Sequence, residues 1–275
     1  MKSALCDRLG FEFPLFAFSH CRDVVAAVTN AGGFGVLGAT IHTPETLEIE
    51  LAWIDDQVNG KPYGVDLLIP NNMDAKDGAI SAAEVEARVP PEHRKYVSDL
   101  LAGNGLDVDD LWDRKIADNF GDQLRVAGAS KILDVAFAHP IKLIVNALGV
   151  PPDAMMARAR AKGVAVGALT GAKEHAIKHA EAGVDILIVS GTEAGGHCGE
   201  VSTLVLVPEV LEAIAPYGVI EVLAAGGIAT GRQMAACMAM GAAGAWAGSV
   251  WLTTVEAETT PTVKRKMLAA SSRNT

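Results

Sequence analysis

Val164-Ala165-Val166-Gly167-Ala168-Leu169 is followed by a helical segment over 172–182 that Gly183 closes, and then by Ile186-Leu187-Ile188-Val189. The two flanking runs are continuous in apolar residues instead of alternating, which suits parallel strands covered on both faces. A strand, a helix and a second parallel strand make the repeating unit of an α/β fold. Working outward, the same kind of apolar run occurs at 13–18, 34–39, 63–69, 141–148, 219–224 and 244–252. With 164–169 and 186–189 this gives eight.

Helix signals lie between the runs. Thr43-Pro44-Glu45 offers an N-cap followed by Pro at the first helical position, and Asn59-Gly60 ends that segment. Pro151-Pro152-Asp153 opens another that stops at Lys162-Gly163, and 208–215 and 231–240 supply two more. Eight strands alternating with helices fit either a closed barrel or a doubly wound sheet. Short loops favour closure, and no early Gly-x-Gly-x-x-Gly marks a dinucleotide fold. The expected architecture is therefore a (β/α)8 TIM barrel, and 275 residues suit one such domain. Residues 71–138 are too long for the ordinary connection between the third and fourth strands. They read as a helical insertion at the catalytic face, either a lid or a surface subdomain, with a helix-like stretch at 81–88 and an acidic amphipathic stretch at 107–118.

Half of the residues are hydrophobic, 20% are charged and 28 are Gly, a balance suited to a large buried sheet with many tight turns. The formal net charge of -10 disfavours nucleic acid and anionic membrane surfaces as partners. Any phosphate bound here must be held by local geometry. Cys6, Cys21, Cys198 and Cys237 show no Cys-x-x-Cys pair and no zinc spacing, so no metal is expected and a reducing cytoplasm fits. The N-terminus lacks an apolar signal region, and no long apolar run suggests a membrane span. The sequence leaves the assembly open, with a homodimer as one option.

Three glycine-rich stretches follow the last strands. The first is Ser190-Gly191-Thr192-Glu193-Ala194-Gly195-Gly196-His197-Cys198-Gly199-Glu200. Its glycines let backbone approach a flat ligand, and they put His197 where an imidazole can exchange a proton near neutral pH. A glycine-rich turn with a solvated histidine would read the same way. The second is Ala225-Gly226-Gly227-Ile228, with a helix behind it, and the third is Gly248-Ser249 at the end of the eighth strand. Turns after strands seven and eight, with a helix N-terminus, form the phosphate site of many such barrels. A Cys198–His197 nucleophile pair is disfavoured because adjacent residues on an extended loop point apart. His175, His197 and Glu200 lack metal-site spacing.

The order Asn30-Ala31-Gly32-Gly33-Phe34-Gly35, Glu193-Ala194-Gly195-Gly196-His197, Ala225-Gly226-Gly227-Ile228 resembles the nitronate monooxygenase family, formerly called 2-nitropropane dioxygenases. The superfamily includes flavin-dependent enoyl-ACP reductases and some NADH:quinone reductases. The resemblance covers nearly the whole chain apart from the insertion, and implies an FMN-dependent barrel. It implies that His197 is the base or proton donor beside the flavin, and that Gly226, Gly227, Gly248 and Ser249 cradle the phosphate. Ser190, Gly191, Gly195, Gly196 and Ala225 would lie along the cofactor, with Ser19 and Asp66 also at the ring and His20 toward the substrate.

Some positions depart from the family pattern. Phe18-Ser19-His20 replaces the usual flavin-side turn, Asp66 stands where Asn is common, and Ser190 replaces a frequent Gln. Members usually continue past the helix expected at 261–270, which implies a shortened C-terminal segment here. The implied reaction is oxidation of a nitronate or nitroalkane by dioxygen to a carbonyl product and nitrite. One alternative is reduction of enoyl thioesters or quinones with NAD(P)H, and another is a flavin-binding protein without catalysis.

Overall fold

All eight apolar runs become parallel strands that close, in chain order, into a barrel. The computed structural model of the protein describes residues 2–69, 87–112, 126–196 and 198–274. The strands are β1 (Leu15–Ser19), β2 (Phe34–Gly38), β3 (Gly64–Leu67), β4 (Leu143–Asn146), β5 (Ala165–Thr170), β6 (Ile186–Ser190), β7 (Glu221–Ala225) and β8 (Gly244–Ala247). Parallel pairing of β1 with β8, with Phe16 opposite Trp246, closes the ring. The helices are α1 (Ala4–Leu9), α2 (Arg22–Asn30), α3 (Pro44–Val58), α4 (Pro91–Gly103), α5 (Val126–Ala136), α6 (Asp153–Lys162), α7 (Lys173–Glu181), α8 (Thr203–Ile214), α9 (Gly231–Ala239) and α10 (Pro261–Ala269). Among the described residues, no helix is long and apolar enough to cross a membrane.

Alternation along each strand sorts its side chains between two cores. Phe16, Phe34, Val36, Val145, Ile188 and Trp246 fill the barrel. Val65, Leu67 and Ile144 face outward onto α3 and α5, and Leu187, Val189 and Val222 onto α7 and α8. At the N-terminal end, Leu5, Cys6 and Leu9 of α1 join the inner core. Phe11 sets its ring edge-on to Phe16 and Phe34 at 5.2 and 5.3 Å. That end is plugged by apolar packing, so polar chemistry is left to the loops at the C-terminal ends of the strands.

Tyr63, fully buried, donates its hydroxyl proton to Asp55 at 2.7 Å. His139 Nδ1 lies 2.7 Å from the other oxygen of Asp55. One carboxylate on α3 thus ties down the entrances of both β3 and β4.

Two expected boundaries are corrected. The eighth strand ends at Ala247, not at 252, because the chain coils into a 3-10 turn over Ser249–Thr253. The Trp251 indole N–H folds back to the Ala247 carbonyl at 2.6 Å and fixes that turn. Helix α8 starts at Thr203 instead of 208, with Pro208 inside it. Proline there removes a bond to the carbonyl of Leu204, a residue 67% exposed, so water can take the bond's place.

In the stretch expected to be an insertion, α5 forms barrel wall, with Ala129, Ile132 and Leu133 packed in the outer core. Pro90-Pro91 opens α4 as its N-cap and first residue. Within the acidic amphipathic stretch, residues 109–112 form turns. Residues 113–118 and nearly all of 81–88 lie outside the described residues.

Candidate active site

The three glycine-rich stretches meet at the C-terminal rim. Ala225 pairs with Ser190 of β6 on one side and with Trp246 of β8 on the other, which brings the following turns together. A Cβ built on Gly195 would fall 2.5 Å from Ser249 Oγ, so the β6 loop touches the β8 turn. Gly226 and Gly227 have φ of +107° and +69°, a pair of left-handed conformations that only glycine adopts without strain. The space over Gly226 is also taken: a Cβ would lie 2.8 Å from the Ala194 nitrogen and 2.8 Å from Thr203 Oγ1. Here glycine serves both turn geometry and close approach.

A side-chain staple fixes this contact. Glu193 Oε2 accepts hydrogen bonds from the Thr203 N–H at 2.9 Å and from the Thr203 hydroxyl at 3.0 Å. Thr203 is the first residue of α8 and Ser202, its N-cap, makes no side-chain cap. Glu193 therefore caps α8 from ten residues upstream. Burial raises the Glu193 pKa, but the hydrogen bonds from Thr203 and Thr192 outweigh it and hold the carboxyl below its ordinary value. Thr203 Oγ1 also lies 3.1 Å from the Ala225 carbonyl. In the β7–α9 loop, Gln233 Oε1 accepts from the Ala229 and Thr230 N–H groups at 3.0 and 2.9 Å, and its amide nitrogen donates to Gly227 O.

Other expected site residues are spread around the mouth. Ser190 ends β6 half-buried. Gly191 is buried, and a Cβ built there would collide with the Thr203 nitrogen, so its lack of a side chain allows the approach of α8. Ser19 turns away from the barrel interior, and its hydroxyl accepts the Cys21 N–H at 3.0 Å. His20 is exposed, with Nδ1 2.8 Å from the Gly38 carbonyl. Gly196 and Cys198 are exposed on either side of His197, which lies outside the described residues.

Asp66 is 3% exposed, and its Oδ1 has no hydrogen-bond partner. Burial pushes its carboxyl well above the ordinary carboxylate range. Phe18, named in the sequence only as part of the altered flavin-side turn, stacks on Trp246 at 5.9 Å and lies beside Gly248, giving the mouth an aromatic floor. Its alternation with Phe16 was the one signal that it faces inward. Thr230-x-x-Gln233 has capping-box spacing at the start of α9, whereas nothing local in the sequence pointed to the bonds of Thr203.

Fold and rim together define a class: a (β/α)8 enzyme whose chemistry is assembled from glycine-rich turns at the C-terminal mouth. The nitronate monooxygenase family profile matches residues 14–275, and the chain belongs to that family. It is 53% identical over 277 residues to a putative monooxygenase of Mycobacterium tuberculosis, spanning all of this chain and 72% of that protein. It is 38% identical over 279 residues to a 5-hydroxy-7a-methyl-1-oxo-octahydro-1H-indene-4-carboxyl-CoA dehydrogenase of Rhodococcus jostii, covering 62% of that protein. Among solved structures, it resembles a nitroalkane oxidase of Streptomyces ansochromogenes with a TM-score of 0.73 at 28% identity, covering 96% of this chain and 72% of the other. FabK of Thermotoga maritima gives a TM-score of 0.71 at 25% identity, over 98% and 69%. The protein is a flavin-dependent oxidoreductase that acts on a small molecule.

Proposed function

We propose that the protein binds FMN across the C-terminal mouth and oxidises nitronates or nitroalkanes with dioxygen, giving a carbonyl compound and nitrite. The observation that carries this reading is the meeting of Gly195, Gly226 and Ser249 at one rim, in turns where a side chain on Gly195 or Gly226 would collide. The buried, unpartnered Asp66 Oδ1 adds a polar group without a protein partner. The residues present therefore fit the cofactor.

Gly226, Gly227, Gly248 and Ser249 would hold the phosphate through backbone N–H groups, helped by the N-terminus of α9. Ser190, Gly195, Gly196, Ala225 and Asp66 would line the ring side. Gly191 contributes by packing and Ser19 by shaping the β1–α2 turn. FMN, when bound, supplies two-electron acceptance.

His197 would take the proton from the substrate carbon, leaving an electron pair that the nitro group delocalises. His20, exposed beside Phe18, would face the substrate. Anaerobic mixing of the yellow protein with propane-2-nitronate should bleach its visible band. His197→Asn should keep the flavin and lower turnover of neutral 2-nitropropane, whose carbon still carries its proton, by roughly 100-fold or more. Full turnover in that variant refutes the role of His197.

A second reading rests on the 38% identity to a carboxyl-CoA dehydrogenase. In it, the electrons are exchanged with an acyl thioester or a quinone, with NAD(P)H as donor. Bleaching by NADH and not by the nitronate would select it.

A further inference from the structure

We propose that Asp66 meets the bound flavin as a neutral carboxylic acid, a hydrogen-bond donor inside the barrel mouth that keeps its proton at pH 7. The proposal rests on the FMN reading above and concerns a residue that sets the charge beside the cofactor. Val65 and Leu67 belong to the outer core, so Asp66 between them turns into the barrel. Gly64, on the same face, confirms the direction, since a Cβ there would meet Leu143 and Phe34 of the inner core. Asp66 sits opposite Gly38 of β2 and Val145 of β4, at the upper end of β3.

Neither flanking strand offers it a cation. Asn146, the next polar residue of β4, is committed to the loop after β3, exchanging hydrogen bonds with Ile69 N and O at 2.9 and 3.1 Å. The titratable groups on the β1 and β2 sides are His20, held to the Gly38 carbonyl, and His42, whose pKa burial lowers. Among the described residues of the flanking strands no cation faces this buried carboxyl group, and burial favours the neutral form.

An unpaired polar atom this deeply buried calls for a ligand partner. Unlike an asparagine amide, an acid at this position can also be switched. While protonated it donates a hydrogen bond without opposing negative charge that develops on the cofactor. Once ionised it would oppose that charge, so electron acceptance should weaken as pH rises through its pKa.

The experiment is infrared difference spectroscopy on the FMN-loaded protein at pH 7, with 13C-labelled aspartate to assign the signal. The expected result is a carbonyl band of a protonated carboxylic acid that shifts with the label, moves when the flavin is reduced, disappears reversibly at high pH, and is missing in Asp66→Asn. The label and the pH titration work on the wild-type protein, so the test survives if Asp66→Asn does not fold. Bound flavin with no such band at pH 7, or a band indifferent to flavin reduction, overturns the proposal while leaving the FMN reading intact. Failure of the protein to quench FMN fluorescence at all would sink both.

Discussion

A methyl group placed on Gly226 should cost the protein most of its hold on the flavin while leaving the barrel folded. The backbone there has φ +107°, and forcing an L-residue into such a conformation costs on the order of 1–3 kcal/mol. The new carbon would lie 2.8 Å from both the Ala194 nitrogen and Thr203 Oγ1. The first is backbone and the second is held by Glu193, so neither yields freely, and overpacking of this kind costs roughly 1–3 kcal/mol. The easiest relief is for the β7–α9 turn to move away from the β6 loop, which opens the proposed phosphate cradle. If about 2 kcal/mol of the strain is relieved in that way, FMN binding weakens by roughly 30-fold. Fluorescence-quenching titration of the apoprotein with FMN measures this directly, and thermal denaturation reports any remaining strain. Gly231→Ala is the matched control from the same segment, because a Cβ there meets nothing within 4 Å. If Gly226→Ala binds FMN as tightly as Gly231→Ala does, the cradle assignment is wrong.

Two further outcomes follow from other parts of the rim and wall. Glu193→Ala removes the remote cap of α8 and should lower stability by about 1 kcal/mol, or roughly 2–4 °C in Tm; an unchanged melting curve would show the Thr203 contact to be incidental. His179, 2% exposed with Nδ1 unpartnered, has its pKa lowered first by burial, against the hydrogen bond to the Leu169 carbonyl. A folded-state value below the unfolded one means that the unfolded chain takes up the proton first. Stability from this group is therefore fully present above the unfolded value of about 6.5 and is lost as pH falls below it, until the folded-state value is reached. His179→Leu should flatten the dependence of Tm on pH in that acidic window, and an identical slope in both proteins would count against it.

The barrel was legible because its signal is repetitive and local. A strand covered on both faces must be apolar at nearly every position, and eight such runs leave few architectures. Local reading failed where apolar residues serve another geometry. Val250-Trp251-Leu252 looks like more of β8, but the indole of Trp251 needs an acceptor and finds it by folding back to Ala247. Pro208 looks like a helix start, although a helix can tolerate it where the freed carbonyl is exposed.

At the rim, Gly226 and Gly227 were readable because backbone conformation alone demands glycine there. Gly191 and Ser19 were expected beside the flavin. The one makes room for Thr203, and the other has its hydroxyl on the Cys21 N–H. Both facts depend on partners that spacing does not reveal. Thr203 is missed for the same reason, since its importance lies in what Glu193 and Ala225 bring to it.

These connections also explain how a protein with a formal net charge of -10 can present a site for a dianion. The stretches 190–200 and 247–253 contain no Lys or Arg, and 225–232 ends in Arg232 alone. Attraction must come mainly from aligned backbone dipoles, which help only if they are fixed before the ligand arrives. Gln233 supplies that fixity by binding Gly227 O and the N–H groups of Ala229 and Thr230. The N–H groups of Gly227, Ile228 and Ser249 find no acceptor among the described residues and stay available.

Glu193 would be an unwelcome charge next to a phosphate if it were free. Held on the N-terminus of α8, its carboxylate is matched by that helix's own dipole and by two hydrogen bonds from Thr203. The acidic residue in the loop thus becomes the fastening that keeps the β6 loop on the β7 turn, instead of a repulsive neighbour for the anion.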